Sequence, residues 1–234
     1  MAAPAARRHF SAQLHDLETS ALEALDMVVS TLDRTLEAFE QRDIELASIV
    51  IADDDRIDGR YLEVHQGILS LLALQAPVAS DLRLVAALLH VIKHAERMGD
   101  QCVNIAKILP LDGNEPPIDE QVVSRILEMG RCARSEVEQS KHAFKLRDVA
   151  LAEDLVRQDQ HINRLQREVF GLAIDCGVDS DQREWAMHMV LIARCIERIG
   201  DNAVDIGEQT AFVVTGLFRE FSDSSRPAAA RGAG

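Results

Sequence analysis

The chain has 234 residues, 47% of them hydrophobic but only 4% aromatic, and its formal net charge at pH 7 is −14. Strand-forming residues are too few for a sheet protein, so the composition favours helices packed through aliphatic side chains. The acidic charge argues against nucleic-acid binding, which needs clustered Lys and Arg to neutralise phosphates. It would also repel anionic lipid headgroups.

No stretch of the sequence reaches the roughly 18 apolar residues that span a bilayer. The first eight residues lack the apolar core of a signal peptide. We therefore expect no stable membrane insertion and a cytoplasmic location. The four cysteines show no CxxC spacing, so we interpret them as reduced core residues: Cys102, Cys132, Cys176 and Cys195.

Three helices are predicted in the first half of the chain, because apolar residues recur every three or four positions. The third of them follows Pro77, with Ser80 as the expected N-cap and Asp81 in the first turn. An N-terminal arm over 1–9 precedes the set. The three segments cover about 10–39, 44–74 and 80–109.

The stretch 110–117 holds three prolines and one glycine, so we predict a linker there. The same pattern of three helices then repeats, over about 118–146, 149–174 with a break at Gly177, and 180–218. A tail over 219–234, rich in Ser, Ala, Arg, Pro and Gly, is predicted to be disordered. Short connections favour antiparallel neighbours, so the expected fold is all-α, with two tandem antiparallel three-helix bundles, over 10–109 and 118–218.

A pentapeptide occurs twice, late in each third helix, as Glu96-Arg97-Met98-Gly99-Asp100 and, 101 residues later, as Glu197-Arg198-Ile199-Gly200-Asp201. Residues four apart lie on one face of a helix. Each copy therefore presents two carboxylates in one direction. Gly99 and Gly200 cost helix stability relative to Ala, so we expect them to permit the close approach of a helix or an ion.

The second helices supply further acids on their apolar stripes, namely Asp54 with Asp58 in the first half and Asp159 in the second. Asp58 and Glu96 lie about 19 residues on either side of the Pro77 turn, roughly 28 Å from it at the helical rise. Asp159 and Glu197 bracket Gly177 in a similar register. The counts predict that the acids of the second and third helices meet.

Buried carboxylates need a positive partner, because desolvating an unpaired charge costs several kcal/mol or more. The candidates are Arg97 and Arg198 on the same helices, or a metal ion between helices. An all-oxygen set, with Asn104 or Asp205 as extra ligands, suits Mg, Mn or Fe better than zinc. The competing interpretation is a set of structural acids paired with Arg, and His90 and His94 are interpreted as ordinary partly buried histidines.

Motifs that would indicate an enzyme are missing from the sequence, including a phosphate-binding Gly-rich loop, GxSxG, a Cys-His nucleophile pair and a helical ExxH. We therefore predict a protein that is not an enzyme. Two alternatives stay open: a carboxylate-bridged metalloenzyme of the helical-bundle kind, and a metal-free helical scaffold.

Over about 7–218 the chain resembles the PhoU family of regulators of phosphate-specific transport and of the phosphate-starvation response. The stretches that carry the resemblance are 74–83, the two pentapeptides with the residues that follow them, Asn104-Ile105-Ala106 and Asn202-Ala203, and Asp205-Ile206. The resemblance implies two tandem three-helix bundles that bind iron or zinc, with manganese or magnesium as alternatives, through acidic motifs on the second and third helices.

Transferred to this sequence, one site would use Asp54, Asp58, Glu96 and Asp100, and the other Asp159, Glu197 and Asp201, with Asn104 and Asp205 in support. Asn163 stands where the first repeat has Asp58. The amide keeps an oxygen ligand but loses the charge, so weaker metal binding or lower nuclearity is expected at the second site.

The resemblance also implies partners. The family restrains a phosphate-responsive sensor histidine kinase and the phosphate ABC transporter through its ATPase, and it forms homodimers. The expected function is therefore a metal-binding adaptor that negatively regulates phosphate uptake and phosphate-starvation signalling.

Overall fold

The structure, a computed structural model, describes residues 3–74, 77–112, 118–176 and 179–221, with side chains from Arg7 onward. Within these ranges every regular element is a helix. The helices are α1 (Ala3–Gln41), α2 (Ile44–Ala52), α3 (Asp54–Leu74), α4 (Ala79–Asp112), α5 (Glu120–Leu146), α6 (Val149–Asp175) and α7 (Ser180–Thr215).

The helices form two bundles, one of α1 to α4 and the other of α5 to α7. The bundles join where α4 packs on α7 and α1 packs on α5. A single hydrophobic core runs through both, with aliphatic side chains such as Leu25, Leu88 and Ile126 fully buried. The prediction of an all-α duplication is confirmed. No helix in the described part of the chain is both long enough and apolar enough to cross a membrane.

The turns between the first and second helices show how the repeats align. Arg42 and Arg147 both adopt the left-handed conformation, with φ of 56° and 57°, which is unusual for residues other than glycine. The next residues, Asp43 and Asp148, cap α2 and α6 through their side chains. Equivalent residues of these helices therefore lie 105 positions apart, against 101 for the pentapeptides of α4 and α7.

The second helix of the first repeat is interrupted, whereas one unbroken helix was predicted over 44–74. At Asp53 the chain leaves α2, and α3 begins at the next residue. The Asp53 carboxylate accepts a 2.6 Å bond from Arg34 of α1, which lowers the pKa of Asp53. This ion pair holds the break against the first helix, and Asp54 consequently stands in the first turn of α3.

The third helix of the first repeat runs past the predicted boundary at 109. Pro110 lies inside α4, which ends at Asp112. Pro110 stands two residues before the end of α4, so the hydrogen bond that it cannot donate is lost near the end of the helix. The side chain of Asp112 is held 2.6 Å from Nδ1 of His188 on α7. The rest of the predicted linker, 113–117, lies outside the described residues.

The remaining predicted boundaries also shift. Helix α1 begins within the predicted arm, at Ala3, and Ser80 lies in the first turn of α4 instead of capping it. Beyond α7 the chain folds back, since Phe218 stacks on Phe212 and the amide of Phe221 donates to Glu208 at 2.7 Å. Part of the predicted disordered tail is thus ordered. The rest of it (222–234) and the predicted break at Gly177 lie outside the described residues.

The contact between α1 and α5 depends on Gly130. A methyl group there would lie 2.3 Å from Cδ2 and 3.1 Å from Cγ of Leu36, so Gly130→Ala should overpack the junction, at a cost of about 1–3 kcal/mol. The matched control is Gly171→Ala on α6, where no atom lies within 4 Å and helix propensity should raise stability by up to about 1 kcal/mol. Urea unfolding of both variants checks the opposite signs, and a Gly130→Ala protein as stable as the parent would contradict the expectation.

Candidate functional site: an acidic cluster in each repeat

The first acidic cluster lies between α3 and α4 and consists of Asp54, Asp58, Glu96 and Asp100. Burial raises the pKa of Asp100, and the charges of the other three acids raise it further. The pKa of Asp54 is raised by burial and then by Asp58, although Lys107 opposes the shift. The acids of α3 and α4 are thus near enough for their charges to act on one another, as the register around Pro77 predicts.

The second acidic cluster consists of Glu136, Asp159, Glu197 and Asp201, on all three helices of the second repeat. A methyl group on Gly200 would lie 2.9 Å from Oε2 of Glu136 and 3.0 Å from Oδ1 of Asp159. Both carboxylates therefore face the pentapeptide of α7. A methyl group on Gly99 would likewise lie 2.9 Å from Cδ1 of Ile57, so both glycines permit close packing, as predicted.

Glu136 was not predicted from the sequence. Its side chain is 0% exposed, and neither carboxyl oxygen has a hydrogen-bond partner among the described residues. Burial, followed by the charges of Asp159 and Asp201, raises the pKa of Glu136 to about 9. One signal was available: Glu136 follows Met129 and Ala133 on the apolar stripe of α5, where a surface acid does not belong.

The pentapeptide glutamates are paired with cations other than Arg97 and Arg198, the candidates from the sequence, although the charge of Arg198 still acts on Glu197. Lys93 places Nζ 2.8 Å from both oxygens of Glu96, and Arg194 pairs with one oxygen of Glu197. Each cation stands three residues before its glutamate, on the same helix face. The other oxygen of Glu197, Oε2, is buried without a hydrogen-bond partner among the described residues, and burial raises the pKa of this glutamate.

The three remaining candidate ligands are placed differently from one another. Asn163 stands within the second cluster, and its amide donates to Oδ2 of Asp159 at 2.7 Å. Asn104 lies exposed one turn beyond Asp100. Asp205 lies across the junction of the repeats, 3.6 Å from Nδ1 of His94.

His94 fills the junction between α4 and α7. It is 7% exposed, and Nδ1 lies 2.7 Å from Oδ1 of Asn202. Burial lowers the pKa of His94, which favours the neutral ring, and the amide oxygen of Asn202 can accept a hydrogen bond from Nδ1. This agrees with the interpretation of His94 as a structural histidine.

The side chains as they stand hold no preformed metal cage: in the described ranges, no three His, Cys, Asp or Glu residues are grouped closely enough to ligate one ion. The chemistry of the second cluster nevertheless fits a hard cation. Glu136 offers two buried oxygens without hydrogen-bond partners and Glu197 offers one, and carboxylate oxygens are the ligands that such cations prefer. A metal ion would supply the positive charge that these acids lack.

The fold and the clusters define a class of protein, a duplicated three-helix bundle with facing carboxylates on the helices of each repeat. The family model described as "PhoU domain" matches residues 21–109 and 126–210, one match in each repeat. The chain therefore belongs to the PhoU family.

The sequences of individual relatives align with nearly the whole chain. A phosphate-specific transport system accessory protein PhoU homolog of Clostridium acetobutylicum is 27% identical over 93% of this chain and 99% of its own length. A homolog of the same name from Zymomonas mobilis is 30% identical over 88% of this chain and 87% of its own.

Crystal structures of related proteins share the fold. The phosphate transport system regulatory protein PhoU from Streptococcus pneumoniae is 28% identical with a TM-score of 0.80, over 90% of this chain and 99% of that one. PhoU from Pseudomonas aeruginosa is 25% identical with a TM-score of 0.81, over 89% and 100%.

Proposed function

We propose that this protein is a metal-binding regulatory adaptor of phosphate homeostasis, which restrains phosphate uptake and phosphate-starvation signalling. Membership of the PhoU family, and its relatives being accessory and regulatory proteins of phosphate transport, support the regulatory part. The proposal gives the chain no catalytic activity.

The metal-binding part depends chiefly on one observation, the buried Glu136 carboxyl group without a hydrogen-bond partner, which faces Asp159 and Gly200. A group of this kind costs about 1–3 kcal/mol or more unless a partner satisfies it. Iron or zinc would be the resident ion, as the resemblance to the family implies, with manganese or magnesium as alternatives that suit an all-oxygen set of ligands. The first cluster would hold metal nearer the surface, through Asp54, Asp58, Glu96 and Asp100.

The proposed partners are a phosphate-responsive sensor histidine kinase and the ATPase of the phosphate ABC transporter. Both would present soluble domains to a cytoplasmic homodimer of this chain. Metal in each cluster would fix the second and third helices against one another, and so hold the faces of the bundles in one geometry for these contacts.

Elemental analysis of protein purified without chelators tests the metal-binding part. We expect more than one ion of iron, zinc or manganese per chain, and loss of most of it in the double variant Glu96→Ala with Glu197→Ala. The matched control is Glu63→Ala with Glu168→Ala, which removes one exposed acid from the second helix of each repeat and should retain the metal.

The regulatory part is tested separately, by co-purification of the chain with the transporter ATPase and the sensor kinase of the same organism. Binding of either partner by the parent and by the Glu63→Ala/Glu168→Ala control is the expected result. Metal-free protein from both the parent and the control would contradict the metal-binding part alone, and failure to bind either partner would contradict the regulatory part alone.

A further inference from the structure

The two repeats place their acids differently. The offset of 105 residues set by Arg42 and Arg147 aligns Asp54 with Asp159 and Asp58 with Asn163. By the same offset, Glu136 of α5 aligns with Thr31 of α1. Compared with the first repeat, the second therefore has one carboxylate fewer on its second helix and one more on its first helix, so that each cluster holds four acids.

The carboxylate of Glu136 points toward Asp159 and Gly200, within the second cluster. Oε2 of Glu136 and Oδ1 of Asp159 both lie within about 3 Å of one point above Gly200. Asn163 donates its amide to the other oxygen of Asp159. Glu136 is fully buried without a hydrogen-bond partner among the described residues, whereas the hydroxyl of Thr31 accepts from Arg34 at 3.5 Å.

From this geometry we infer that Glu136 is a metal ligand of the second acidic cluster and supplies there the charge that Asp58 supplies in the first. This inference rests on the proposed metal-binding function. It changes the expectation for the second site, because the exchange of Asp for Asn at 163 does not lower the number of charged ligands. It also means that a metal ion would tie α5, α6 and α7 together, whereas in the first repeat it would tie only α3 and α4.

The test isolates the second cluster by disabling the first with Glu96→Ala and Asp100→Ala, and titrates Mn²⁺ into the full chain. In this background we compare the parent second cluster, Glu136→Thr, and Glu136→Thr with Asn163→Asp, which recreates the residues of the first repeat. Glu136→Thr should weaken Mn²⁺ binding by about tenfold or more, since even groups that only support ligands contribute 10- to 100-fold. Adding Asn163→Asp should restore most of the loss.

Hydrogen exchange gives a second readout that a purely structural Glu136 would not produce. In the unmodified chain, Mn²⁺ should slow amide exchange in α5 around Glu136 and leave α1 around Thr31 unchanged. Circular dichroism melting confirms that each variant is folded before it is titrated.

Mn²⁺ binding by Glu136→Thr as tight as in the background protein, or Mn²⁺ binding without protection of α5, would overturn the inference. A failure of the proposed function looks different. In that case the unmodified chain binds no Mn²⁺ in either repeat, which is seen before Glu136 is changed.

Discussion

Glu136→Gln is expected to make the metal-free protein more stable at pH 7 and above. The pKa of Glu136 is raised from 4.5 to about 9, first by burial and then by the charges of Asp159 and Asp201. At pH 7 the folded chain therefore retains a proton that the unfolded chain releases, which corresponds to a penalty on the order of 3 kcal/mol. The variant removes this penalty, and its amide can donate to the neighbouring Asp159.

The direction of the pH dependence follows from the raised pKa. Between about pH 4.5 and pH 9 the folded state binds more protons at residue 136 than the unfolded state does. The contribution of Glu136 to the free energy of unfolding is therefore full below pH 4.5 and is lost as the pH rises toward 9. The parent should lose stability across this window, and Glu136→Gln should lose less of it.

Urea unfolding at pH 5, 7 and 9 with EDTA present measures this difference. Glu138→Gln is a suitable control, because Glu138 lies two residues further along α5 and is half exposed beside Arg134. The control should follow the pH dependence of the parent. If Glu136→Gln were no more stable than the parent at pH 9, the carboxyl group would not be a source of instability in the metal-free fold.

The helices and their pairing could be predicted from the sequence because both depend on local periodicity. Apolar residues at helical spacing marked the segments, and counting residues from Pro77 placed Asp58 opposite Glu96 before any packing was known. In the structure the charges of both Asp58 and Glu96 raise the pKa of Asp100, so the acids of the two helices are near one another. Residue counts are sufficient here because two antiparallel helices joined by a short turn have little freedom to slide.

Glu136 could not be found by the same reasoning, because it lies on the first helix of its repeat. Counting residues from one turn does not show which residues of the first and third helices are neighbours. Comparison of the repeats did not help either, because its counterpart Thr31 is not acidic. Only the packing of the helices shows it: Glu136 and Asp159 meet above Gly200 of α7, which has no side chain to separate them.

The contacts between the repeats could not be predicted from the sequence either. Asp205 occupies in the second repeat the position that Asn104 has in the first, and the sequence makes both candidate metal ligands. Asp205 nevertheless lies beside His94 of the other repeat, because α4 packs against α7. The interruption at Asp53 likewise depends on Arg34 of α1. In each case the residue's position depends on a partner from another helix. The apolar periodicity of the sequence does not show that these two helices are in contact.

Asn163→Asp is expected to destabilise the metal-free protein and to strengthen metal binding at the second cluster. The amide of Asn163 now donates to Asp159 at 2.7 Å, and Asp159 is only 6% exposed. The new carboxylate would remove this donor and place two negative oxygens at hydrogen-bond distance, so one of the two carboxyl groups must take up a proton. The loss should amount to about 1–3 kcal/mol at pH 7, and Asn163→Ala, which removes the donor without adding charge, should lose less.

Saturating Mn²⁺ should reverse the order of the two variants. A fifth carboxylate beside Glu136 raises the affinity of the cluster, and a ligand that binds only the folded state stabilises it in proportion to the logarithm of its concentration over Kd. Asn163→Asp should therefore gain more in melting temperature from Mn²⁺ than the parent does, and Asn163→Ala should gain less. Equal gains in all three proteins would mean that position 163 does not face the ion, and Asn163 would then serve only as a hydrogen-bond donor to Asp159.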